Sequence, residues 1–367
     1  MKIQAAIFRE VGQTFQVEEV ELEGPRAGEV LVRVKSAGVC HSDWHLVTGA
    51  TQHPLPVVPG HEGSGIVEQV GEGVSGLAEG DHVSLNWAPS CGSCFYCLHG
   101  RRSLCQTYIS PIWGGVMFDG TTRLSQNGTS VYHFSSLACF AEFVVVPAVC
   151  CVPMPRDVPF DVAALIGCAV TTGVGAVLNT AKVEAGSSVA VFGVGGVGLS
   201  MILGAKHVGA SPIIAVDIVA EKLETALQLG ATHGIASDSN VAEEIQSLTG
   251  GRGADYAFEA IGIPAVQELC FESVRPGGTV VLAGIARSDQ QLALSSAKLT
   301  RQEKTIMGCY YGTSDPARDF PAYAKLFQAG KLELDRLVSK RYRLEQIGEA
   351  YEDLLSGSIA RGVIEFE

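Results

Sequence analysis

The second half of the chain alternates short apolar runs with segments of helical periodicity. Helical patterns at 221–229 and 264–274 separate runs of strand length, and helices between consecutive strands are typical of parallel sheets. The pattern predicts a doubly wound parallel sheet of α/β class, the Rossmann arrangement. The predicted strands are residues 213–216, 256–259, 279–282 and 305–308.

The first 170 residues follow a different pattern. Strand-like runs at 29–34, 65–70 and 143–146 are separated by turns rich in glycine and proline, with few helical periods. We expect an irregular, β-rich domain there. Because 367 residues exceed the size of a usual single core, the chain is predicted to form two domains.

A glycine motif lies between an apolar run that ends at Phe192 and a helix-like segment. Its spacing, G-x-G-x-x-G, allows a tight turn and aims a helix N-terminus at a pyrophosphate. The next strand ends at Asp217, near the ~20-residue separation expected for the acid that binds a ribose. Since a carboxylate accepts from a 2′-OH and repels a 2′-phosphate, NAD is predicted over NADP. A structural turn without a ligand is the alternative. The predicted cofactor-binding residues are Gly193, Gly195, Gly196, Val197, Gly198 and Asp217.

Composition and charge restrict the possible partners. The net charge is −13, so neither nucleic acid nor an acidic membrane surface is predicted to bind. Two uncharged runs, 162–181 and 185–205, approach membrane-spanning length, but glycines interrupt both, and buried segments explain them better. The N-terminal residues lack the apolar stretch of a secretory signal, so a cytoplasmic location is predicted.

Cysteines form two candidate metal sites. Four thiols lie within residues 91–105, and disulfides are disfavoured there because eleven cysteines is an odd number in a chain without an export signal. A working metal and a structural metal remain. Elsewhere, Cys40, His61 and Cys168 can converge as a Cys₂His set, which leaves one position of Zn²⁺ open for catalysis. Buried thiols and a core histidine are the alternative for these three.

Together these motifs resemble the zinc-dependent medium-chain alcohol dehydrogenase family. The resemblance rests on CHSDWH (40–45), GHEGSGIVEQVG (60–71), the four-cysteine segment, Cys168 and GVGGVG (193–198). It implies a GroES-like catalytic domain formed by residues 1–170 and 311–367, with an NAD-binding Rossmann domain, 171–310, inserted between them. It also implies two zinc ions per chain. The catalytic zinc is assigned to Cys40, His61 and Cys168, and the structural zinc to Cys91, Cys94, Cys97 and Cys105.

The resemblance implies reversible hydride transfer between an alcohol and NAD, with an aldehyde as product. In this family the zinc binds the substrate oxygen and lowers the pKa of its hydroxyl group. Ser42 and His45 occupy the positions that pass the proton out of the pocket. Asp43 is expected to orient His61, and Glu62 resembles the family's acid behind the zinc.

Further cofactor contacts follow from the same comparison of motifs. His41 and Arg361 occupy positions that hold the pyrophosphate, and His41 replaces the commoner arginine. Because neutral histidine carries less charge, NAD(H) binding is expected to weaken above about pH 6.5. Lys222 matches a ribose-contacting position, and Thr172 is expected to face the nicotinamide.

The substrate pocket is assigned to four residues by the resemblance. Trp87 would narrow the site near the zinc, which favours primary over branched secondary alcohols. Thr51, Ser110 and Phe134 would line the rest of the pocket and admit an aliphatic or aryl group.

Several alternatives remain. A glutathione-dependent formaldehyde dehydrogenase would need an acid and a base where this chain has Thr51 and Ile109, although Arg101, Arg102 and Arg123 are near in sequence. A nicotinoprotein alcohol dehydrogenase would keep NAD(H) permanently bound. Zinc-free reductases and structural proteins share the fold but would not need both cysteine sets. Family members associate through an edge strand, so a homodimer is predicted, with a tetramer as the alternative.

Overall fold

The computed structural model describes residues 1–237 and 240–367. Its compact units divide the chain near the predicted boundaries of 170 and 311. The first unit comprises Met1–Cys168, Asp315–Ala329 and Val338–Glu367, and the second comprises Ala169–Ser314 and Gly330–Leu337. The short segment 330–337, which the prediction assigned to the catalytic domain, is therefore grouped with the second unit.

The described residues form the following regular elements. The strands are β1 (Lys2–Ile7), β2 (Gln16–Leu22), β3 (Glu29–Gly38), β4 (Val57–Val58), β5 (Gly63–Val70), β6 (His82–Leu85), β7 (Leu124–Gln126), β8 (Thr129–His133), β9 (Phe143–Pro147), β10 (Cys151–Pro153), β11 (Val189–Phe192), β12 (Ile213–Asp217), β13 (His233–Ala236), β14 (Ala254–Glu259), β15 (Val274–Leu282), β16 (Thr305–Gly308), β17 (Lys340–Tyr342) and β18 (Gly362–Glu365). The α-helices are α1 (His41–Val47), α2 (Phe95–Leu98), α3 (Ile109–Gly114), α4 (Phe160–Leu165), α5 (Thr171–Gly175), α6 (Gly196–His207), α7 (Ala220–Leu229), α8 (Val241–Leu248), α9 (Pro264–Ser273), α10 (Ser296–Arg301), α11 (Pro316–Gln328) and α12 (Ile347–Ser356).

The first unit contains the β-rich part of the fold. One sheet has the order β1-β2-β7-β8-β4, and a second has the order β10-β6-β5-β3-β18-β17, with β9 also paired to β3. In β3 the alternate residues Val30, Val32 and Val34 are fully buried, as a strand with one face on the core requires. Strand β3 ends two residues before Cys40, which places the CHSDWH motif at the end of a central strand.

The second unit contains the predicted parallel sheet. Its strand order is β13-β12-β11-β14-β15-β16, and every neighbouring pair is parallel. All four residues of β11 are buried, which explains why that strand is a continuous apolar run. From β11 the chain continues to β12 and β13 on one side, and then crosses over to β14 on the other side of β11. The order therefore reverses at β11, which is the point where ligands bind in sheets of this kind.

One apolar helical segment, Phe160–Ala181, is long enough to cross a membrane by length and composition. In its most apolar window, 89% of the residues are buried inside the protein. Core helices of globular proteins have the same composition, so the burial agrees with the prediction of a buried segment.

Candidate active site and zinc-binding lobe

Four cysteine sulfurs converge in the segment 91–105, which we call the zinc lobe. The Sγ atoms of Cys91 and Cys97 lie 4.0 Å apart, and those of Cys94 and Cys105 lie 3.9 Å apart. A tetrahedron with Zn–S distances near 2.3 Å has edges of about 3.8 Å, whereas a disulfide needs about 2.05 Å. All four sulfurs lie within 4.8 Å of one another, so the lobe fits a zinc ion and not a pair of disulfides.

Hydrogen bonds within the lobe hold the sulfurs in place. The backbone N–H groups of Ser93 and Cys94 donate to Cys91 Sγ, at 3.5 Å and 3.2 Å. Hydrogen bonds, the largest from Thr107, lower the pKa of Cys91 to about 5. Burial instead raises the pKa of Cys97 to about 12. Four closely spaced sulfurs, one of them readily ionised, suit a cation that all four coordinate, which is the donor set of a closed structural zinc site.

A second set of metal-ligating side chains is buried at Cys40, His61 and Cys168. Their exposed fractions are 7%, 3% and 8%. A hydrogen bond between the two side chains lowers the pKa of Cys40 and raises that of Cys168, which indicates that the two thiols are neighbours. The Nε2 atom of His61 is buried with no hydrogen-bond partner among the described residues. An unpartnered imidazole nitrogen beside two thiols fits a metal ion.

Asp43 connects the two motifs that supply Cys40 and His61. Its Oδ1 accepts a hydrogen bond from the backbone N–H of Gly60 at 2.8 Å. Its Oδ2 lies 3.0 Å from His61 Nδ1, although the ring N–H is poorly aligned for a hydrogen bond. Burial opposes a charge on His61, but Asp43 and the two thiols outweigh it and raise the His61 pKa. Asp43 therefore lies where the sequence predicts the orienting carboxylate.

An aromatic cluster supports helix α1, which follows Cys40. Tyr351 stacks on Trp44 at a centroid distance of 5.2 Å and packs edge-on against Phe15 at 4.9 Å. The hydroxyl group of Tyr351 donates to the carbonyl oxygen of Cys40 at 3.4 Å. Helix α12 of the C-terminal segment thus contacts the backbone at Cys40, the predicted zinc ligand that follows β3.

Glu62 and Arg361 form a buried ion pair next to the thiols. The Arg361 guanidinium group donates to Glu62 Oε2, and both residues are almost wholly inaccessible. Gly38 allows this approach, because a Cβ atom there would lie 1.9 Å from Glu62 Oε2. Arg361 Nε is buried without a hydrogen-bond partner in the described part of the chain. Arg361 is predicted to bind the pyrophosphate, and Glu62 is predicted to lie behind the zinc. The ion pair thus holds the first of these side chains with the second.

The predicted proton relay lies on helix α1. Ser42 Oγ is 3.7 Å from Cys40 Sγ, and His45 follows three residues later, on the neighbouring position of the same helix face. Ser42 and His45 are partly exposed, whereas His41, at the start of the helix, is exposed. Thr51 follows shortly after, and its N–H donates to the His45 carbonyl oxygen at 3.0 Å.

Aromatic rings surround His61 in the first unit. Trp87 and Phe134 are both buried and stand edge-on to the imidazole, at centroid distances of 6.5 Å and 5.8 Å. Phe134 also contacts Trp113 at 6.4 Å, and Trp113 is 37% exposed. Trp113, on helix α3, was not among the predicted pocket residues, and its only signal in the sequence was an aromatic residue shortly after the zinc lobe. The predicted pocket residue Ser110 is exposed on helix α3.

The glycine motif of the second unit has the geometry of a phosphate cradle. Gly193 has a φ of +84°, and a Cβ atom on Gly198 would lie 1.9 Å from the Gly193 carbonyl oxygen. A Cβ atom on Gly195, in contrast, would meet open space. Helix α6 begins directly after Gly195, so its free N–H groups adjoin that space. The turn therefore fits a pyrophosphate.

Asp217 ends strand β12 and is 8% exposed. Its Oδ2 accepts from the Val194 N–H at 2.9 Å, and its Oδ1 accepts from the Val219 N–H at 3.0 Å. A carboxylate has about four acceptor sites, so two remain for ribose hydroxyl groups. Lys222 lies partly exposed on helix α7, and Thr172 lies on helix α5 with an exposed fraction of 9%.

Comparisons with known proteins agree with this geometry. A family model described as an alcohol dehydrogenase GroES-like domain matches residues 26–156, and one described as a zinc-binding dehydrogenase matches residues 196–329. An NDMA-dependent alcohol dehydrogenase from Amycolatopsis methanolica is 41% identical, over 99% of each chain. An S-(hydroxymethyl)glutathione dehydrogenase from Synechocystis sp. is 38% identical over the full length of both chains. The solved structure of benzyl alcohol dehydrogenase from Acinetobacter calcoaceticus has a TM-score of 0.94, with 33% identity and full coverage of both chains.

These relatives match the chain from end to end, and the fold predicted from the sequence, a GroES-like domain with a Rossmann domain, is confirmed. The chain therefore belongs to the zinc-dependent medium-chain alcohol dehydrogenase family.

Proposed function

We propose that the protein oxidises primary alcohols to aldehydes reversibly, with NAD as the hydride acceptor. The observation that carries this proposal is the burial of Cys40, His61 and Cys168 near one another, with a His61 Nε2 atom that has no hydrogen-bond partner among the described residues. Three ligands leave a fourth zinc position for the substrate oxygen. The buried carboxylate of Asp217 supports NAD over NADP.

The residues of the chain have distinct roles in the proposed reaction. When bound, zinc would lower the pKa of the alcohol and the nicotinamide would accept the hydride. Cys40, His61 and Cys168 would hold the metal, with Asp43 fixing the imidazole ring. Ser42 would accept the hydroxyl proton of the alcohol while its own proton moves on through the cofactor ribose toward the partly exposed His45, which would release a proton to solvent.

The aromatic surroundings of His61 support aryl primary alcohols as good substrates. Trp87 and Phe134 place flat apolar surfaces beside the metal ligand, and Trp113 extends them outward. Aromatic rings pack well edge-on or offset against one another. The similarity to a benzyl alcohol dehydrogenase supports the same class.

The ion pairs of the first unit disfavour the glutathione-dependent alternative. Arg123 is fully buried and binds both oxygens of Glu29, at 2.9 Å and 2.5 Å. The Nε atom of Arg102 lies 3.0 Å from the Oδ2 atom of Asp315, so these side chains also form an ion pair. Neither guanidinium group is thus available for the carboxylates of glutathione without breaking an ion pair, although the relative from Synechocystis sp. carries that activity in its name.

A second candidate function is supported by the relative from Amycolatopsis methanolica. Its name states a dependence on NDMA, and it is 41% identical to this chain. An enzyme that keeps NAD(H) bound would need such an external acceptor to regenerate the cofactor. The chemistry at the zinc and at the alcohol would be unchanged.

The test begins with protein purified without added nucleotide. Its zinc content is measured, and turnover of benzyl alcohol, 1-butanol, 2-propanol, or formaldehyde plus glutathione is followed with and without NAD or NDMA. Absorbance of reduced nicotinamide reports the reaction with NAD, and consumption of NDMA reports the reaction with NDMA. We expect about two zinc ions per chain and NAD-dependent oxidation of benzyl alcohol that exceeds that of 2-propanol. Cys168→Ala should lose one zinc and the activity.

Other outcomes assign the alternatives. Turnover that requires formaldehyde with glutathione would favour the glutathione-dependent enzyme. Turnover that requires NDMA but no added NAD, with nicotinamide already present in the purified protein, would favour the second candidate. An absence of turnover with every substrate and acceptor would contradict the proposal.

We also propose that the protein is a cytoplasmic homodimer. Strand β16 ends the six-stranded sheet, and its residues Thr305 and Gly308 are exposed. A sheet edge offers backbone groups that a second copy can pair with.

A further inference from the structure

A buried carboxylate lies where strand β14 ends in the second unit. Glu259 is fully buried, and its Oε1 accepts two backbone hydrogen bonds, from Ile261 at 2.7 Å and from Gly262 at 2.6 Å. Its Oε2 faces the side-chain amide of Gln267 at 3.4 Å. Gly262 has a φ of +90°, so residues 260–262 form a sharp turn, and one side chain holds the N–H groups of its last two residues. We call this segment the Glu259 turn.

The Glu259 turn packs against the first glycine of the phosphate cradle. The N–H of Ala260 donates to the carbonyl oxygen of Phe192 at 3.0 Å, which extends the pairing of β14 with β11. A Cβ atom on Gly193 would lie 2.3 Å from Ile261 Cγ1. The position of the Ile261 side chain and the path of the cradle are thus mutually dependent.

The turn also lies at the point where the strand order of the sheet reverses. Strands β11 and β14 are neighbours, and the chain leaves them toward opposite edges of the sheet. Ligands of doubly wound sheets bind at the carboxyl ends of these two strands. Ile261 is 44% exposed there, so an apolar side chain is presented at the binding edge instead of being buried in the core.

We propose that Glu259 is a positioning residue for the dinucleotide. It acts through the Glu259 turn, which holds Ile261 against Gly193 and so keeps the cradle open to the pyrophosphate. The inference rests on the proposed function, because it assumes that the cradle binds NAD(H). Glu259 itself is buried and does not contact the cofactor.

The experiment measures NADH binding to the zinc-loaded protein by fluorescence titration, together with KM for NAD, kcat, zinc content and Tm. In Glu259→Ala, two buried N–H groups lose their acceptor, and we expect the Kd for NADH to rise about 10-fold or more. KM for NAD should rise with it while zinc content is unchanged. Glu259→Gln retains a carbonyl oxygen for both N–H groups, so its Kd should stay within about 3-fold of wild type. Glu272→Ala, an exposed carboxylate paired with Lys298 in the same unit, is the matched control.

Ile261→Ala tests the same inference without disturbing a buried charge. Its Kd for NADH should also rise. If Glu259→Ala does not fold, the Kd of Ile261→Ala tests whether the turn positions the dinucleotide. A folded Glu259→Ala or Ile261→Ala protein that binds NADH like wild type would overturn the inference, even if its Tm is lower. If wild-type protein does not bind NADH, the proposed function itself fails, so the two failures are distinguishable.

Discussion

At the scale of single residues, Trp87 is the side chain that we expect to limit the substrate most directly. It is 9% exposed and edge-on to His61, so its indole ring occupies volume beside the metal ligand. A substituent on the reacting carbon of a secondary alcohol would compete for that volume. Trp87 is therefore the residue whose size should separate primary from secondary alcohols.

We predict that Trp87→Ala raises kcat/KM for cyclohexanol relative to benzyl alcohol by about 10-fold or more, because the cavity admits the second substituent. The measurement is steady-state kinetics on both alcohols with wild type and variant. Trp87→Phe, which keeps an aromatic wall, is the control and should shift the ratio less. An unchanged ratio in Trp87→Ala would show that the indole ring does not limit the site.

At the scale of elements, we expect the zinc lobe to depend on a bound metal for its order. Its helix α2 has four residues, and Phe95 and Leu98 on it are 61% and 71% exposed. Because these apolar side chains are exposed, we expect thiolate–metal bonds to be the main source of stability for this segment. The lobe should therefore lose its structure when one ligand is removed.

We predict that Cys97→Ala lowers the zinc content from about two to about one per chain and lowers Tm by roughly 5–15 °C. The measurements are metal analysis and calorimetry. The control is Cys270→Ala, a fully buried cysteine in the second unit, which should keep both zinc ions. Two bound zinc ions in Cys97→Ala would contradict the assignment of Cys97 as a ligand.

At the scale of the whole molecule, a buried histidine couples stability to pH. His133 Nε2 accepts the backbone N–H of Arg123 at 3.0 Å, inside the loop that Arg123 ties to Glu29. Burial, followed by the charge of Arg123, lowers the pKa of His133 to about 3. In the unfolded chain a histidine has a pKa near 6.5. The unfolded state therefore binds a proton that the folded state does not, and the stabilisation present above about pH 6.5 is lost as the pH falls toward 3.

We predict that the unfolding free energy of His133→Gln falls less steeply than that of wild type between pH 6 and pH 4. The difference in slope corresponds to the uptake of about one proton on unfolding, or roughly 1.4 kcal/mol per pH unit. The measurement is urea unfolding at several pH values. The control is His99→Gln, because His99 is exposed on the zinc lobe. An equal pH dependence in wild type and His133→Gln would mean that His133 is protonated in the folded protein.

Features that depend on short spacings could be predicted from the amino-acid sequence. The glycine motif, the acid at the end of the next strand and the four lobe cysteines lie within short segments, because a turn or a metal sphere is built from neighbouring residues. The alternation of apolar runs with helical periods likewise predicted the parallel sheet, which the family match confirms. The Cys₂His site could be predicted only in combination with these motifs. Its members, Cys40, His61 and Cys168, are separated by 21 and 107 residues, so no local spacing identifies them as one site.

The tertiary structure alone decided the contacts between distant segments. Glu62 and Arg361, 299 positions apart, form one buried ion pair. Trp113 joins Phe134 near His61, and the Glu259 turn meets Gly193. No local pattern specifies these pairs, because each partner is compatible with its own strand, helix or turn whether or not the other is present. Only the packing of the folded chain, in which buried charges need partners and side chains fill the remaining space, selects them.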